Sequence, residues 1–338
     1  MNLQPKKGNF MRLLTLTRRS AIALAIAAPI TLPAAIALAE PGAWSDEPVR
    51  IIVTFPPGGT SDLVARLLAK HLDENFGQKA VVDNRPGAAG TVAADYIQQQ
   101  DPDGTALMIA NNAPFTIAPT QFESLPYDPM ADFTHIAYIG ASAPGLFVKP
   151  DSGITTVAEF VDAAKANSVS YGSSGVGSIS HILGKAVDAK LGIETLHVPY
   201  QGSAPAIQDF RAGVLDTFYD MVAQNSEMIE DGEAVAIAIA ASERFPGVPD
   251  VPTFTEQGYD IVIENWVGLS GPAGIDPATA EKIRETTLAV FALPEVTAAL
   301  EDLGITHKAM SGAEYTDFVK KQIDVWKPPI VAAGVQGK

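Results

Sequence analysis

Cysteine is absent from the 338-residue sequence, which excludes disulfides, thiolate metal sites and cysteine nucleophiles together. Histidine is scarce. His71, His135, His181, His197 and His307 include no pair spaced three or four apart, so no helical zinc motif exists. Positive charge is also short, with 23 Lys and Arg against 39 Asp and Glu. Five of those 23 basic residues and none of the 39 acids fall in residues 1–39, so the remainder has 18 basic residues and a net charge of −21. Such a surface repels nucleic-acid phosphates and anionic lipid headgroups, which argues against a nucleic-acid partner. Aromatics are sparse at 7%, whereas alanine and glycine are abundant, a composition suited to helices packed closely on a sheet. Finally, no uninterrupted apolar run reaches the roughly 18 residues of a membrane span, because Pro29 and Pro33 break the one candidate.

That candidate reads as a signal peptide over residues 1–39. Lys6, Lys7, Arg12, Arg18 and Arg19 form its basic region, Ala21 to Ala28 begin its apolar region, and Ala37-Leu38-Ala39 fits an A-x-A cleavage site. The expected location is periplasmic, with cleavage near Ala39. Thr17-Arg18-Arg19-Ser20 suggests a twin-arginine signal, but Ala21 stands where a bulky aromatic is usual, so the export route stays open.

The chain then alternates between β-branched runs and helical patterns. Val49 to Val53 reads as a buried strand and Ser61 to Asn75 as a helix with Leu63, Val64, Leu67, Leu68 and Leu72 on one face. Ala80 to Val82, Thr91 to Gln99 and Ala106 to Ala110 continue as strand, helix and strand. This order predicts an α/β fold with a parallel sheet covered by helices on both faces. A second round follows Phe147-Val148: helices at 156–166, 178–191 and 203–212 alternate with strands at 169–171, 195–198, 217–219 and 235–240. Two rounds of similar size predict two similar domains. From Asp276 the chain is mostly helical, with Ser311 and Glu314 spaced as a helix-capping box.

The segment Thr54 to Asp62, reading TFPPGGTSD, joins the first strand to the first helix. Ligands of open α/β sheets bind at the carboxyl ends of strands, where such loops lie. A helix start offers unpaired N–H groups and a partial positive charge, and Gly58-Gly59 lack the Cβ atoms that would hold an anion away. Pro57, Gly58, Gly59, Thr60 and Asp62 are therefore candidate carboxylate contacts; the same residues also read as a tight turn with a Thr60 or Ser61 cap. The segment Tyr171 to Ser178 has the same logic in the second round and nominates Ser173, Gly175, Val176, Gly177 and Ser178. The two helix starts can hold opposite ends of a dicarboxylate or converge on one carboxyl group.

Further loops point to the same crevice. Asn111-Asn112-Ala113 follows the third strand, and Gly202-Ser203-Ala204 precedes another helix. Asp220 ends a strand, as a cap for the next helix or as an acceptor for a ligand amine or hydroxyl. Trp44, Trp266 and Trp326, and Phe115, read as packing residues. Two enzymatic motifs are incomplete. In Gly175-Val176-Gly177-Ser178-Ile179-Ser180, Ser180 replaces the last glycine of a dinucleotide fingerprint. In Gly172-Ser173-Ser174-Gly175-Val176, Val176 replaces the last glycine of a nucleophile elbow. No catalytic residue, metal or cofactor is expected.

Taken together, these segments resemble the solute receptors of tripartite tricarboxylate transporters, the Bug family of extracytoplasmic receptors. The landmarks are Phe55 to Asp62, Asn84 to Gly90, Asp103-Gly104, Leu125 to Pro129, Tyr171 to Ser178, His197 to Ala206 and Pro249 to Thr253. The resemblance covers essentially the whole chain after residue 39. It implies a type II periplasmic-binding-protein fold of two Rossmann-like lobes, with crossings near residues 140–146 and 260–268. Lobe 1 is expected over residues 40–143 and 262–338, including the C-terminal helices, and lobe 2 over residues 144–261. The resemblance also implies a monomeric, non-enzymatic receptor. Its ligand is a small carboxylate: a di- or tricarboxylate, an acidic amino acid or an aromatic acid. Its partners are one large and one small membrane subunit. The rival readings are a ligand-sensing partner of a signalling receptor and an exported nucleotide-dependent enzyme.

Overall fold

A computed structural model describes residues 41–336; the expected signal peptide lies outside the described residues. The chain first forms β1 (Val49–Val53), α1 (Thr60–Phe76), β2 (Ala80–Asn84), α2 (Thr91–Gln98) and β3 (Ala106–Asn111), followed by α3 (Ala118–Gln121) and β4 (Phe133–Ser142). It continues through β5 (Pro144–Val148), α4 (Val157–Ala166), β6 (Ser170–Ser173), α5 (Ile179–Leu191) and β7 (Leu196–Pro199). Next come α6 (Ser203–Arg211), β8 (Thr217–Met221), α7 (Ser226–Glu230) and β9 (Val235–Ile239). The last elements are β10 (Asn265–Pro272), α8 (Pro277–Phe291), α9 (Pro294–Asp302), β11 (Thr306–His307) and α10 (Gly312–Ala332).

Two sheets result, the two-lobed architecture expected. The first has six strands in the order β11-β4-β10-β3-β1-β2 and the second five in the order β7-β6-β8-β5-β9. The β-α-β rounds give parallel pairs, β1 with β2 and β3, and β6 with β7 and β8. Neither sheet is wholly parallel, however. β10 runs antiparallel to both β3 and β4, and β5 antiparallel to both β8 and β9. These are the strands that carry the chain between sheets, so each enters its sheet from the far end. The first passage takes only Ala143, between β4 and β5; the return runs between Ile239 and Asn265.

Local sequence accounts for the walls of the first lobe. Val49, Ile51, Ile52 and Val53 are all fully buried, as a strand covered on both faces requires. Val64, Ala65, Leu68 and Leu72 of α1 share a core with Ile51 and Val53. Each such large aliphatic side chain contributes about 2 kcal/mol of burial. Gly77 ends α1 in the left-handed conformation, with φ 71° and its N–H donated to the Leu72 carbonyl. Ser311 and Glu314 form the expected capping box at the start of α10.

The C-terminal helices return to the first lobe only in part. Ile283, Val290, Phe291, Val296 and Leu300 of α8 and α9 join the core around β1. Tyr315 and Val319 of α10 pack with Trp266 of β10. Farther along the same helix, Trp326 and Ile330 lie in the core of the second sheet, with Tyr171, Leu183 and Tyr219. A 21-residue helix is about 30 Å long, enough to reach both cores. Phe115, Trp266 and Trp326 are fully buried packing residues, as read from sequence.

Candidate functional site

The carboxyl ends of β1 and β3 and the start of α5 open onto a cavity of about 700 Å³. From the first loop it is lined by Phe55, Pro56, Pro57, Gly59, Thr60 and Ser61. The segment after β3 supplies Asn111, Asn112, Ala113, Ile117 and Gln121, and β10 supplies Asn265 and Val267. Val176, Gly177, Ser178 and Ile179 line it from the second lobe. Nothing charged is among these residues.

The first loop is held from behind. Asp62 is buried and accepts the Gly58 N–H at 2.9 Å, Asn84 Nδ2 at 2.9 Å, and two bonds from Arg66 at 2.9 and 3.0 Å. The Arg66 bonds, reinforced by Gly58 and Asn84 against the cost of burial, lower the Asp62 carboxyl to about 2. Asn84 also donates to the Phe55 carbonyl, so the loop is braced at both ends. Gly58 needs its glycine, at φ 91°. Gly59 does not: it sits at φ −82° as the cap residue of α1, and a Cβ there would meet only the Pro56 carbonyl, at 3.8 Å. No side chain caps α1, and among the described residues the Gly59, Thr60 and Ser61 N–H groups have no protein acceptor. Thr60 and Ser61 are thus not the ordinary caps that the turn reading required.

The helix start opposite is different. Ser178 caps α5 by accepting the His181 N–H, Gly177 donates its N–H to His181 Nδ1 at 3.1 Å, and the Ser178 N–H goes to the Gly175 carbonyl. His181 stacks on His197 with ring centroids 4.0 Å apart, and His197 Nε2 shares a 2.6 Å hydrogen bond with the Ser173 hydroxyl. Burial, then His181 and Lys185, lower His197 to about 4, so the ring is neutral. Ser173 is 1% exposed and lies behind the loop, outside the cavity lining, where a nucleophile would be useless.

Among the residues nominated from sequence, Pro57, Gly59, Thr60, Asn111, Asn112, Ala113, Val176, Gly177 and Ser178 converge on the cavity. Gly58, Asp62, Ser173, Gly175, Gly202, Ser203, Ala204 and Asp220 lie outside its lining. Asp220 is buried and accepts from Ser203 Oγ at 3.0 Å and Asn225 Nδ2 at 3.2 Å, holding the 202–204 turn much as Asp62 holds the first loop. Burial raises its carboxyl above the ordinary range. The side-chain amides of Asn111 and Asn112 are turned inward. Asn111 Nδ2 donates to Thr54 Oγ1 at 2.8 Å and Asn112 Nδ2 to the Glu264 carbonyl at 2.6 Å. Asn112 Oδ1 is buried without a partner. From Ala113 to Ile117 the backbone takes a wider π-type turn, a distortion frequent at functional sites.

Sequence reasoning passed over Phe55, Ile117, Ile179, Asn265 and Val267. Ala89 also lines the cavity, and it had a signal within the Asn84–Gly90 landmark. Ala88 and Ala89 both adopt left-handed backbone, at φ 42° and 52°, strained for alanine. Among the described residues no helix is long and apolar enough to cross a membrane, and no group of His, Asp and Glu is placed to hold a metal.

The family model described as "Tripartite tricarboxylate transporter family receptor" matches residues 64–335. The "UPF0065 protein in tcbD-tcbE intergenic region" of Pseudomonas sp. (strain P51) is 30% identical over 296 residues, 86% of this chain and 87% of its own. A TctC solute-binding protein from Polaromonas superposes with a TM-score of 0.78 at 26% identity, covering 84% of this chain and 98% of that one. The R. palustris protein Rpa4515, solved with adipate, gives 0.69 at 28% identity, covering 87% and 100%. The cleft lining is uncharged, and the hydrogen-bonded Ser173–His197 pair lies behind its wall. The chain is therefore a solute-binding receptor, a member of the tripartite tricarboxylate transporter receptor family of periplasmic proteins.

Proposed function

We propose that this receptor captures a small carboxylate in the cleft between its lobes and delivers it to the large and small membrane subunits of a tripartite tricarboxylate-type transporter. The observation that carries this reading is the open start of α1, where amides at Gly59, Thr60 and Ser61 without acceptors border the cavity. Such a helix start stabilises an anion through its dipole and its N–H groups. The adipate in the solved relative supports a carboxylate as the chemical class. Micromolar capture needs roughly −8 kcal/mol, within reach of several charge-assisted hydrogen bonds plus apolar contact.

In this reading the chain is exported after cleavage near Ala39 and acts as a monomer. Lobe 1 comprises residues 40–143 and most of 262–338, and lobe 2 residues 144–261. Ligand bridging the lobes favours the closed state by binding it more tightly than the open one. The Gly58, Asp62, Ser173, Gly175, Gly202–Ala204 and Asp220 positions act from behind, by holding the loops that face the ligand. A thermal-shift and calorimetric screen of citrate, succinate, glutamate, adipate, terephthalate and nicotinate tests the proposal. Saturable binding of at least one acid is expected, with compaction in solution scattering; a flat response across the panel, with no compaction, refutes it.

A further inference from the structure

Resting on the carboxylate reading above, we infer that Gln121 is the specificity-determining side chain of the cleft. It selects carboxylates whose body carries a hydroxyl or another neutral hydrogen-bonding group.

The carboxylate end is held by groups that discriminate little. The Gly59, Thr60 and Ser61 N–H groups at the start of α1 have no acceptor among the described residues, and across the cavity neither do those of Val176, Ile179 and Ser180 at the start of α5. Backbone amides at a helix start take any carboxyl group that reaches them. Choice among acids that share this group therefore falls to wall side chains with a free donor or acceptor. Such a side chain rejects a ligand that leaves it unpaired.

Most polar side chains of the lining are already engaged. Asn111 donates Nδ2 to Thr54 Oγ1 and accepts the Ala113 N–H at Oδ1. Asn112 has Nδ2 on the Glu264 carbonyl, and its Oδ1 is buried. Ser178 Oγ accepts from the His181 N–H and donates to the Gly175 carbonyl. Asn265 turns its Nδ2 toward Ser142 Oγ, at 3.5 Å. Thr60 and Ser61 belong to the start of α1 itself, at the carboxylate end.

Gln121 differs. It lines the cavity from the end of α3, and its side-chain amide has no hydrogen-bond partner among the described residues. Its direction follows from spacing. Ala113, Ile117 and Gln121 stand four residues apart through the wider turn and α3, and all three line the cavity, so they form one face of this segment. That face is apolar up to its last position, where an amide with both donor and acceptor stands. A hydroxyl can donate to such an amide and accept from it. A plain hydrocarbon body displaces its water and returns nothing.

Matched acids differing by one hydroxyl test the inference by calorimetry on the purified protein: malate against succinate, 6-hydroxyhexanoate against hexanoate, and 4-hydroxybenzoate against benzoate. Gln121 is partly exposed, so water competes for it, and the expected preference for the hydroxylated acid is about three- to tenfold in at least one pair. Gln121→Leu and Gln121→Met should weaken that acid and bring the pair to near-equal affinity. A ratio that survives either substitution overturns the inference, and so does a loss that falls equally on both acids. Absence of a preference in every pair, or binding confined to acids outside these pairs, overturns it too; the receptor reading stands in each of these cases. Silence from every acid tested, here and in the panel above, overturns the receptor reading and this inference with it.

Discussion

Replacing Asp62 with asparagine keeps the shape of the side chain behind the first loop and removes its charge. The carboxylate accepts from Gly58, Asn84 and Arg66. Its fall from 3.8 to about 2 measures how much the fold favours the ionised form. At 1.36 kcal/mol per unit this bounds the stabilisation near 2.4 kcal/mol, and because Arg66 is half exposed a screened value of about 1–2 kcal/mol is the better expectation. For a protein of this size the loss lowers Tm by roughly 2–3 °C.

The sign of the pH effect follows from a folded pKa below the unfolded one. The contribution is fully present above about pH 5, falls to about half near pH 3, and is lost as pH drops through the folded value of about 2. Urea midpoints of wild type and Asp62→Asn at pH 6, 4 and 3 check it, since the general acid sensitivity of an acidic protein cancels in the difference. The gap between the two proteins should shrink steadily with pH. A gap that stays constant, or a variant that binds ligand as tightly as wild type, refutes the account of Asp62 as the clamp of the cleft loop.

Gly59→Val should fold normally, since the added Cβ meets only the Pro56 carbonyl at 3.8 Å, but lose binding measurably by calorimetry because the side chain covers the open amides. Ala89→Gly should raise Tm, as relief of a left-handed alanine worth about 1–2 kcal/mol outweighs the flexibility that glycine adds to the unfolded chain. His197 is held down at about 4 in the folded protein, so its stabilisation is present above pH 6.5 and is lost as pH falls toward 4. Between pH 7 and 5 the wild type should therefore lose about 1–2 kcal/mol more than His197→Gln in urea titrations. Equal losses would show that the stacked pair does not control the second loop.

The parallel half of each sheet was legible because β-branched runs and helical periods alternate, and that order admits few topologies. β4 and β10 were not. Phe133–Ser142 is an almost continuously buried segment, and its direction is decided by a partner more than a hundred residues away, at β10. The same distance hid part of the cavity: Asn265 and Val267 reach it only through that antiparallel pairing. Strand-to-helix loops were readable as loops, and the glycines marked them. Which of their amides stay open was not readable, because it depends on His181 reaching back to Gly177 and on Asp62 claiming Gly58. Polar residues near a glycine turn look alike in sequence whether they face a ligand or brace the turn, and Asp62, Ser173 and Asp220 do the latter.

The course of α10 constrains how such a receptor can close. With two strand connections alone, one lobe could twist as well as swing against the other. A helix rooted in the first core at Tyr315 and Val319 and in the second at Trp326 and Ile330 adds a third, stiff tie. Pro328 and Pro329 lack the N–H groups that would bond one turn back, so the ladder is weakest just where the helix enters the second core. In the closure proposed above, the lobes would flex that rod about a built-in weak point. That geometry would bring the two lips of the cleft back into the same alignment each time a ligand is taken up.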